Sequence, residues 1–589
     1  MTSATTPATA PAQSPALSPA QSRAQGDPWW RQAVCYQVYV RAFADGDGDG
    51  IGDLPGLRDR LEHIARLGVD AVWLTPFHPS PLADAGYDIT DHTAVAPELG
   101  TLDDWTALAA RAHELGLRVL VDLVPNHTSA AHPWFRALLA APPGPEGDAA
   151  RARYVVRAGE GAGGEHPPND WLSAFGGPAW SRLPQGPGGP ALWYLHLHTP
   201  DQPDLNWRHP QVRAEFERIL RFWSARGADG FRIDVAHTLV KAEGLPDAGP
   251  GQHSEPWRNH LMPYHDQPEL QELYARWREV VDTAPGPDGR PPHGGRLLVG
   301  EAILFDHARL ARYVRPGRLG QVFDFAWTEA PWSAAAMREV IEGSTATTAA
   351  VGAWSTWTSA SHDTVRSATR YDHGGHGDHG DDCGVQDVSD RDGAAGLRRA
   401  RAAALVTLAL PGAAYVYQGE ELGLPQAWVP EDSRRDPVWR ASGGADEGRD
   451  GCRVPLPWAG THPPYGFSTA GPGRLWFPQP ENWAPYTVSS QEADPRSTLA
   501  LYRAALVLRR AHPSPGPGPV RVEGPGSGAW LAFDRAPGLR CVVNFGPEPL
   551  RLDPEDHVLL SSGPLDAGAL PRDTAVWLTP ANRGHSEAN

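Results

Sequence analysis

The stretch Gly230-Phe231-Arg232-Ile233-Asp234-Val235-Ala236-His237 places a short apolar run directly before a carboxylate. Phe231 and Ile233 flank an arginine and are typical of a buried strand. In parallel α/β folds ligands bind at the carboxyl ends of the strands, so Asp234 stands where chemistry takes place. Arg232 points to the same side of the strand, and its charge is predicted to lower the pKa of Asp234 and keep it ionised. Taken alone, the octapeptide is equally well explained by a structural Arg–Asp pair.

The residues before this strand have the pattern of an amphipathic helix over 210–226. Pro210 suits the first turn and Gly227 suits the C-cap. The apolar residues recur at helical spacing, at Phe216, Ile219, Leu220 and Trp223. Helix, short turn and strand form one unit of a parallel α/β architecture.

The same alternation runs along most of the chain. Strands are predicted at 33–43, 69–74, 117–124, 231–233, 297–301, 321–325, 354–359 and 414–417. Further helices are predicted at 54–67, 102–115 and 397–410. Eight strands alternating with helices predict an α/β fold of the (β/α)8 TIM-barrel type.

Two parts of the chain lack this alternation of strands and helices. Residues 128–209 are rich in Gly, Pro, His and Trp and predict an inserted domain B after the third strand, on the active-site face. Residues 516–589 contain short strands at 520–522, 529–533, 539–545 and 557–560, separated by Pro/Gly turns. They predict a C-terminal antiparallel β-sandwich, domain C.

The barrel, domain A, then comprises residues 28–127 and 210–515. Residues 1–27 are rich in Ala, Pro, Ser, Thr and Gln and carry only Arg23 as a basic residue. They are predicted to be a disordered tail and not a signal peptide.

The amino-acid composition limits which binding partners and which cellular compartment are expected for this protein. The net charge of -18 and the lack of a Lys/Arg run argue against nucleic acid. No apolar run is long enough to span a membrane. The 4 cysteines, at 35, 383, 452 and 541, match no metal spacing and are interpreted as free thiols of a cytoplasmic protein. The sequence is compatible with a monomer or a small homo-oligomer.

The segment Asp45-Gly-Asp-Gly-Asp-Gly-Ile-Gly-Asp53 carries aspartates at every second position. It resembles the first half of an EF-hand loop, but Gly56 stands where that loop needs a bidentate glutamate. We therefore predict one structural Ca2+ ion in a βα loop, with a metal-free Gly/Asp turn as the alternative. The predicted ligands are Asp45, Asp47, Asp49, Ile51 and Asp53. A second metal site in the Gly/Asp/His loop 372–393 is less favoured than a plain solvated loop.

Four motifs, in this order, resemble the α-amylase superfamily of retaining glycoside hydrolases, glycoside hydrolase family 13. They are Asp122-Leu-Val-Pro-Asn-His127, Gly230-Phe-Arg-Ile-Asp234, Val299-Gly-Glu301 and Ser361-His-Asp363. The resemblance covers residues 29–580. Finer motifs at 83–88, 202–207, 415–423 and 449–458 are similar to the α-glucosidase and oligo-1,6-glucosidase branch, whose Ca2+ loop the Asp-rich segment also matches.

The resemblance implies a role for each of three carboxyl groups. Asp234 is the nucleophile that forms a β-glucosyl-enzyme, Glu301 is the general acid and then the general base, and Asp363 stabilises an oxocarbenium-like transition state. A retaining glycosidase needs one ionised and one protonated carboxyl about 5–5.5 Å apart. Repulsion from two nearby carboxylates favours a proton on Glu301. Asp122 is expected to support the site and not to react.

The resemblance also implies a set of substrate-binding residues: Asp84, Tyr87, His127, Phe175, His198, Arg232, His362 and Arg449. His127 and His362 would hydrogen-bond hydroxyls of the glucose in subsite -1, and Tyr87 would stack on its ring. Asp84 and Arg449 would block longer chains and make the enzyme exo-acting. A surface salt bridge is the alternative interpretation of Arg449.

Two positions depart from the family pattern. Ser361 stands where the family usually has asparagine, and His198 is aligned where the branch usually has phenylalanine. Both changes leave the glycosidase chemistry in place but put the substrate and the balance of hydrolysis and transfer in question.

These residues favour a retaining exo-α-glucosidase that releases glucose from maltose and short maltooligosaccharides. Glucosyl transfer or isomerisation, as in trehalose synthase relatives, uses the same intermediate and stays open. So does an oligo-1,6-glucosidase, because Val235 after the nucleophile does not decide the linkage. A non-catalytic member of the superfamily is disfavoured, since all three acidic residues are retained.

Overall fold

The computed structural model describes residues 28–141, 144–184, 191–249, 261–372 and 393–580. The predicted tail at 1–27 and nearly all of the loop 372–393 lie outside the described residues. Within the described ranges, each helix is too short or too polar to cross a bilayer.

The described strands, in chain order, fall into four sheets. They are β1 (Val34–Val38), β2 (Ala71–Leu74), β3 (Arg118–Leu123), β4 (Val156–Ala158), β5 (Trp180–Arg182), β6 (Leu192–Leu195), β7 (Gly230–Ile233), β8 (Leu297–Gly300), β9 (Gln321–Val322), β10 (Thr356–Thr358), β11 (Ala413–Tyr417), β12 (Trp530–Ala536), β13 (Leu539–Asn544), β14 (Leu550–Arg551), β15 (His557–Ser561), β16 (Ala569–Leu570) and β17 (Thr574–Thr579).

The described α-helices pack mainly around the largest of these sheets. They are α1 (Leu54–Leu67), α2 (Leu102–Glu114), α3 (Pro133–Ala140), α4 (Pro145–Arg151), α5 (Pro210–Ser224), α6 (Leu270–Thr283), α7 (His307–Leu310), α8 (Phe325–Glu329), α9 (Ala334–Ala350), α10 (Ser367–Arg370), α11 (Ala394–Ala409), α12 (Pro437–Ala441), α13 (Val488–Glu492) and α14 (Thr498–Ala511).

The largest sheet is a parallel barrel of eight strands in the order β10-β11-β1-β2-β3-β7-β8-β9. Between its end strands, the backbone N–H of Asp324 donates to the carbonyl of Thr356 at 3.3 Å. Parallel register places Arg232 on β7 opposite Asp122 on β3 and Val299 on β8. The predicted TIM barrel is confirmed, and its register brings the charged residues of neighbouring strands together at one end.

The helix before β7 shows how local sequence sets these elements. In α5, Pro210 occupies the first turn, and the His209 side chain accepts a hydrogen bond from the Gln211 N–H as N-cap. The predicted apolar face of α5 is buried. The chain then turns at Gly227, whose φ of 96° is left-handed and suits glycine. This turn delivers β7, and with it Asp234, to the active-site face.

The segment between β3 and α5 forms a separate lobe beside the mouth of the barrel. It contains α3, α4 and the antiparallel sheet β4-β6-β5. Some of its apolar residues, among them Trp171 and Trp180, form a second core, whereas Phe135 and Leu138 of α3 pack into the core of the barrel. The exact domain boundaries stay predictions.

The C-terminal region forms an antiparallel sandwich, as predicted. One sheet has the order β12-β13-β17-β15, and β14 pairs with β16 in the other. The central strand β17 was not anticipated. The strand predicted at 520–522 is wrong, because the N–H groups of Val520 and Val522 donate to side chains of α9, Thr345 Oγ1 and Glu342 Oε1, instead of a strand.

Two barrel strands end well before their predicted C-terminal residues. The strand predicted at 33–43 ends at Val38, because Val40–Ala42 turns into a 3-10 helix. The strand predicted at 321–325 ends at Val322, because the Asp324 carboxylate accepts from the Ala326 N–H and caps α8. Both strands therefore end before the polar loops that face the site.

Candidate active site

One buried guanidinium joins the predicted catalytic carboxyl groups. Arg232, only 1% exposed, places Nη1 2.7 Å from Asp234 Oδ1 and Nη2 2.5 Å from Glu301 Oε1. The same Nη1 lies 3.0 Å from Asp122 Oδ1. The residues come from the carboxyl ends of β3, β7 and β8, so the barrel register assembles the cluster.

The backbone after the nucleophile candidate is held in an unusual conformation. Val235 has a φ of 36°, which is rare for a β-branched residue. Its N–H donates to Glu301 Oε2 at 3.0 Å, and the Ala236 N–H donates to the Glu301 carbonyl at 2.6 Å. The strained turn therefore fixes Glu301 relative to Asp234.

The charge of Arg232 lowers the pKa of Asp234, as predicted, but this effect does not keep the pKa below its ordinary value. Burial raises the pKa of Asp234 well above its ordinary value; the charge of Arg232 lowers it, and those of Glu301 and Asp122 raise it further. Burial likewise raises the pKa of Asp122 to about 6. One guanidinium is shared among three carboxyl groups, so its charge does not outweigh the effect of burial and mutual repulsion on the pKa of Asp234 and of Asp122.

Asp363 has the opposite electrostatic environment. Its Oδ1 lies 2.6 Å from Arg453 Nη2 and 3.1 Å from Arg449 Nη1, and its Oδ2 lies 3.2 Å from His362 Nε2. Burial raises the pKa of Asp363, but His362 and the two arginines outweigh it and hold the pKa below its usual range. Because burial lowers the pKa of His362 to about 3, the arginines supply the charge at neutral pH. Asp363 is therefore ionised and suited to a transition state with positive charge.

A hydrogen-bond chain orients His362 and Tyr87. The Gln37 amide nitrogen donates to His362 Nδ1 at 2.7 Å. Because Nδ1 of His362 accepts this hydrogen bond, the ring proton of the neutral imidazole is on Nε2. His362 Nε2 lies 2.6 Å from the Tyr87 hydroxyl, which donates to Asp122 Oδ2 at 3.1 Å. The rings of Tyr87 and His362 stack with centroids 5.3 Å apart. Both side chains are thereby locked beside the cluster.

Asp84, Arg449 and Asp436 form a charged barrier, which we call the wall. Arg449 Nη2 lies 2.8 Å from Asp84 Oδ1, and Arg449 Nε lies 2.7 Å from Asp436 Oδ2. The Arg449 guanidinium also lies 5.0 Å from the centre of the Phe175 ring. Its contacts with Asp84 and Asp363 make Arg449 part of the site and not a surface salt bridge.

Two histidines lie next to the wall. His127 Nε2 is 3.0 Å from Gln202 Nε2, and the same Gln202 nitrogen donates to Asp84 Oδ2 at 3.2 Å. The His198 ring lies 4.8 Å from that of His127 and 5.8 Å from that of Phe175. Burial lowers the pKa of both histidines. They are neutral hydrogen-bonding groups near neutral pH.

Ser361, the other departure from the family pattern, shapes the loop that carries Asp363. Its Oγ accepts the Asp363 N–H at 3.1 Å, and its own N–H donates to Thr364 Oγ1 at 2.8 Å. The short hydroxyl thus acts as a local turn acceptor, while the Asp363 carboxylate is positioned by arginines.

The Asp-rich loop lies apart from these carboxylates. Asp45, Asp47 and Asp49 each offer a carboxylate oxygen, and these oxygens lie within 4.8 Å of one another. Such a donor set fits a hard cation. Asp53 is not brought into this group, because its carboxylate caps α1 and accepts from the N–H groups of Gly56 at 2.6 Å and Gly46 at 2.9 Å.

Three residues that support the site were not singled out from the sequence. Arg453 holds Asp363, Asp436 holds Arg449, and Gln37 fixes the tautomer of His362. Arg453 lies within the family-like motif 449–458, so the sequence did contain a signal from which it could have been identified. Asp436 and Gln37 lie in stretches without a distinctive spacing.

Comparison with known proteins agrees with this geometry. The profile described as "Alpha amylase, catalytic domain" matches residues 37–515, and that of a domain of unknown function, DUF3459, matches residues 515–577. A probable alpha-glucosidase of Rhizobium meliloti (strain 1021) is 36% identical over 550 residues, or 88% of this chain and 90% of that protein. An oligo-1,6-glucosidase of Parageobacillus thermoglucosidasius is 32% identical over 516 residues, or 82% of this chain and 84% of that protein.

A solved structure shares the fold over nearly the whole length. The crystal structure of an alpha-glucosyl transfer enzyme superposes with a TM-score of 0.77 and 33% identity, covering 94% of this chain and 99% of that one. The profile match, the relatives and the assembled carboxyl groups agree. The chain therefore belongs to the α-amylase family of glycoside hydrolases, in its α-glucosidase and oligo-1,6-glucosidase branch.

Proposed function

We propose that the protein is a retaining, exo-acting α-glucosidase that releases glucose from the non-reducing end of maltose and short maltooligosaccharides. The observation that carries this proposal is the single guanidinium of Arg232 joining Asp234 and Glu301. The terminal nitrogens of one guanidinium are neighbours, which favours the short carboxyl separation of about 5–5.5 Å used by retaining enzymes. The α-glucosidase relatives support the substrate class.

The mechanism proposed is double displacement. In the first step the carboxylate of Asp234 attacks the anomeric carbon while Glu301 gives its proton to the departing glycosidic oxygen. In the second step Glu301 takes a proton from water, whose oxygen displaces the Asp234 carboxylate from the anomeric carbon. The ionised Asp363 stabilises the positive charge of both transition states.

The wall supports exo action. Asp84 and Arg449 close the side of the site next to Tyr87 and His127, where the non-reducing end of the glucose would lie. Their charged groups would bind the last hydroxyls of that glucose and leave no passage for a longer chain. We therefore propose that one glucose unit is removed per event.

Glucosyl transfer is the second candidate activity. The covalent intermediate can pass glucose to a sugar hydroxyl as well as to water, and the similar α-glucosyl transfer enzyme shows that this fold supports such chemistry. His198, a polar side chain beside His127 at a position where the branch usually has phenylalanine, is a feature of this site that bears on the balance of hydrolysis and transfer. Cleavage of α-1,6 bonds is supported by the oligo-1,6-glucosidase relative.

A structural Ca2+ ion, a cytoplasmic location and a monomeric or small homo-oligomeric state complete the proposal. Asp45, Asp47 and Asp49 would hold the ion, with Ile51 as a further predicted ligand, whereas Asp53 caps α1 instead. Among the described residues, Cys35, Cys452 and Cys541 are buried free thiols, which supports a reducing compartment. Cys383 lies outside the described residues.

The test is a product time course with maltose, isomaltose, sucrose and trehalose, each supplied separately and analysed by chromatography. Glucose released fastest from maltose supports the α-1,4 proposal. Fastest release from isomaltose would shift it to the α-1,6 linkage. New di- or trisaccharides as main products at high substrate concentration would make transfer the function. No reaction with any of the four would contradict the proposal.

A further inference from the structure

Asp436, the buried member of the wall, lies where two distant stretches of one loop hold each other by reciprocal hydrogen bonds. The Asp436 carboxylate accepts from the backbone N–H of Arg449 at 2.9 Å. In return, the Asp450 carboxylate accepts from the backbone N–H groups of Arg435 and Asp436 at 2.6 and 3.0 Å. The largely exposed segment between these stretches contains α12. The reciprocal bonds therefore fix the backbone of Arg449 relative to Asp436.

The same carboxylate also holds the Arg449 side chain. Asp436 Oδ2 accepts from Arg449 Nε at 2.7 Å, and Asp436 Oδ1 accepts from Arg449 Nη2 at 3.3 Å. On its far side, the guanidinium directs Nη2 to Asp84 Oδ1 at 2.8 Å and Nη1 to Asp363 Oδ1 at 3.1 Å. A guanidinium is planar, so a partner that fixes its Nε edge sets the direction of both terminal nitrogens. Asp436 therefore determines where Arg449 meets the two carboxylates of the candidate site.

Asp436 is too deeply buried to touch a substrate itself. It is 1% exposed, whereas the side chains of Arg449 and Asp363 are 21% and 29% exposed. Burial raises the pKa of Asp436, but the charges of Arg449 and Arg453 outweigh it and lower the pKa to about 2. The carboxylate is therefore ionised near neutral pH. A buried charge thus orients an arginine whose other end is accessible from the site.

We propose that Asp436 is a positioning residue that sets the exo specificity of this site by acting through Arg449, an inference that rests on the proposed α-glucosidase function. With Asp436 in place, Arg449 is held against Asp84 and closes the passage behind the non-reducing glucose. Without it, Arg449 loses the partner of its Nε and of its backbone N–H. Glucose would then bind more weakly, and a longer chain would pass the wall.

Asp436 has a second, purely structural contact that the test must separate from this role. Its Oδ1 accepts from the Val438 N–H at 2.9 Å and caps α12. Asp436→Asn keeps the shape but places an NH2 group where both carboxylate oxygens accept N–H groups. Asp436→Ser keeps an oxygen that can cap α12 but is too short to hold the Arg449 side chain. The serine variant therefore removes the positioning contact and retains the cap.

The test measures maltose kinetics and the cleavage of a maltoheptaoside whose non-reducing end is blocked by an ethylidene group. In both Asp436 variants we expect KM for maltose to rise about tenfold or more, by a larger factor than kcat falls. Cleavage of the blocked chain should rise above the wild-type level. The matched control is Glu447→Gln in the same loop, whose carboxylate pairs with Arg434 at 2.8 Å. It should behave as wild type in both assays.

A double-mutant cycle with Arg449→Lys shows whether Asp436 acts through Arg449. If it does, adding Asp436→Asn to Arg449→Lys should change KM little further. Thermal melting verifies that each variant is folded.

Three results would overturn the inference in an active wild-type background. They are wild-type behaviour of a folded Asn variant, restoration of wild-type behaviour by the serine variant, and additive effects of the Asp436 and Arg449 substitutions. The second of these would reduce Asp436 to a helix cap. A wild-type chain that does not hydrolyse maltose would instead refute the proposed function, so the two failures are distinguishable.

Discussion

Three carboxyl groups of the candidate site contact the same guanidinium, that of Arg232, and compete for its single positive charge. Asp234, Glu301 and Asp122 all lie within 3.0 Å of Arg232 nitrogens. A single positive charge cannot balance three negative ones, and burial together with mutual repulsion raises the pKa of both Asp234 and Asp122. In the proposed double displacement, Asp234 of this cluster would be the nucleophile and Glu301 the proton donor.

Asp234→Asn should lower kcat for maltose by roughly 10³-fold or more, because the amide cannot form the glycosyl ester. The fold should persist, since the amide oxygen can still accept a hydrogen bond from Arg232. Steady-state kinetics and thermal melting measure the two effects. Asp59→Asn, an exposed change, serves as the control. Near-normal turnover of the Asp234 variant would rule out its role as nucleophile.

The acidic limb of the pH profile of kcat/KM tests whether neighbouring carboxyl groups raise the pKa of Asp234. The nucleophile must be ionised, so kcat/KM should fall as pH decreases through the raised pKa of Asp234. Asp122→Asn removes one negative charge that raises this pKa, and the limb should move towards lower pH. A pH profile of kcat/KM for both proteins measures the shift. An unmoved limb, or one displaced to higher pH, would show that Asp122 does not act on the titrating group.

At the residue scale, the sequence predicted which side chains lie together in the site but not how their charges change one another's pKa. The motifs located Asp234, Glu301 and Asp363 at strand ends, where the barrel brings them together. The pKa of Asp234 could not be predicted, because burial and the third carboxyl group depend on the register of β3 against β7. Asp436 could not be found, because a loop brings it to Arg449 without any sequence spacing.

At the element scale, the Asp-rich loop links β1 to the rest of the barrel. The Trp476 N–H donates to the Gly50 carbonyl at 2.8 Å, and the Asp45 N–H donates to the Phe467 carbonyl at 3.0 Å. A β-carbon at Gly50 would lie 2.0 Å from the Arg474 carbonyl oxygen, so only glycine fits this close approach. The loop therefore holds a distant segment in place.

Removal of a bound metal should loosen this loop. EDTA should lower the melting temperature by about 3–10 °C if Asp45, Asp47 and Asp49 hold Ca2+ in the folded state alone. Added Ca2+ should restore the original value, and Asp47→Asn with Asp49→Asn should remove the EDTA effect. Differential scanning calorimetry and elemental analysis measure these changes. An identical melting curve with no metal in the protein would establish a metal-free Gly/Asp turn.

Element prediction succeeded where hydrophobic periodicity was strong and failed where polar contacts ended an element. The helices at 54–67 and 210–226 follow the predicted apolar faces closely. The strand predicted at 321–325 was cut short by the Asp324 cap, and that at 520–522 was replaced by bonds to α9. Such side-chain bonds depend on distant residues, so a local pattern cannot anticipate them.

At the scale of the whole molecule, the sandwich is fastened to the barrel by buried polar contacts. Asp573, 3% exposed, accepts from Trp332 Nε1 at 2.7 Å and from Arg399 Nε at 3.0 Å. Trp577 of β17 donates to the Leu405 carbonyl of α11 at 3.0 Å. The C-terminal sheets thus support the helical layer of the barrel.

Asp573→Ala should therefore destabilise the protein by about 1–3 kcal/mol, because it leaves the buried indole N–H of Trp332 unpaired and removes the carboxylate partner of the half-buried Arg399, which keeps its bond to the Tyr371 carbonyl. Urea unfolding followed by fluorescence gives the free energy of unfolding. The control is Glu555→Ala, an exposed change in the same region. A loss no larger than that of the control would mean that Asp573 does not fasten the two parts.

The anomeric form of the first glucose released from maltose tests the central claim most directly. Double displacement through Asp234 inverts the anomeric carbon twice, so the product should be α-glucose. Proton NMR in the first minutes, before the anomers equilibrate, distinguishes the two forms. Initial α-glucose is the predicted result. Initial β-glucose would mean a single displacement by water and would contradict the assignment of Asp234 as nucleophile.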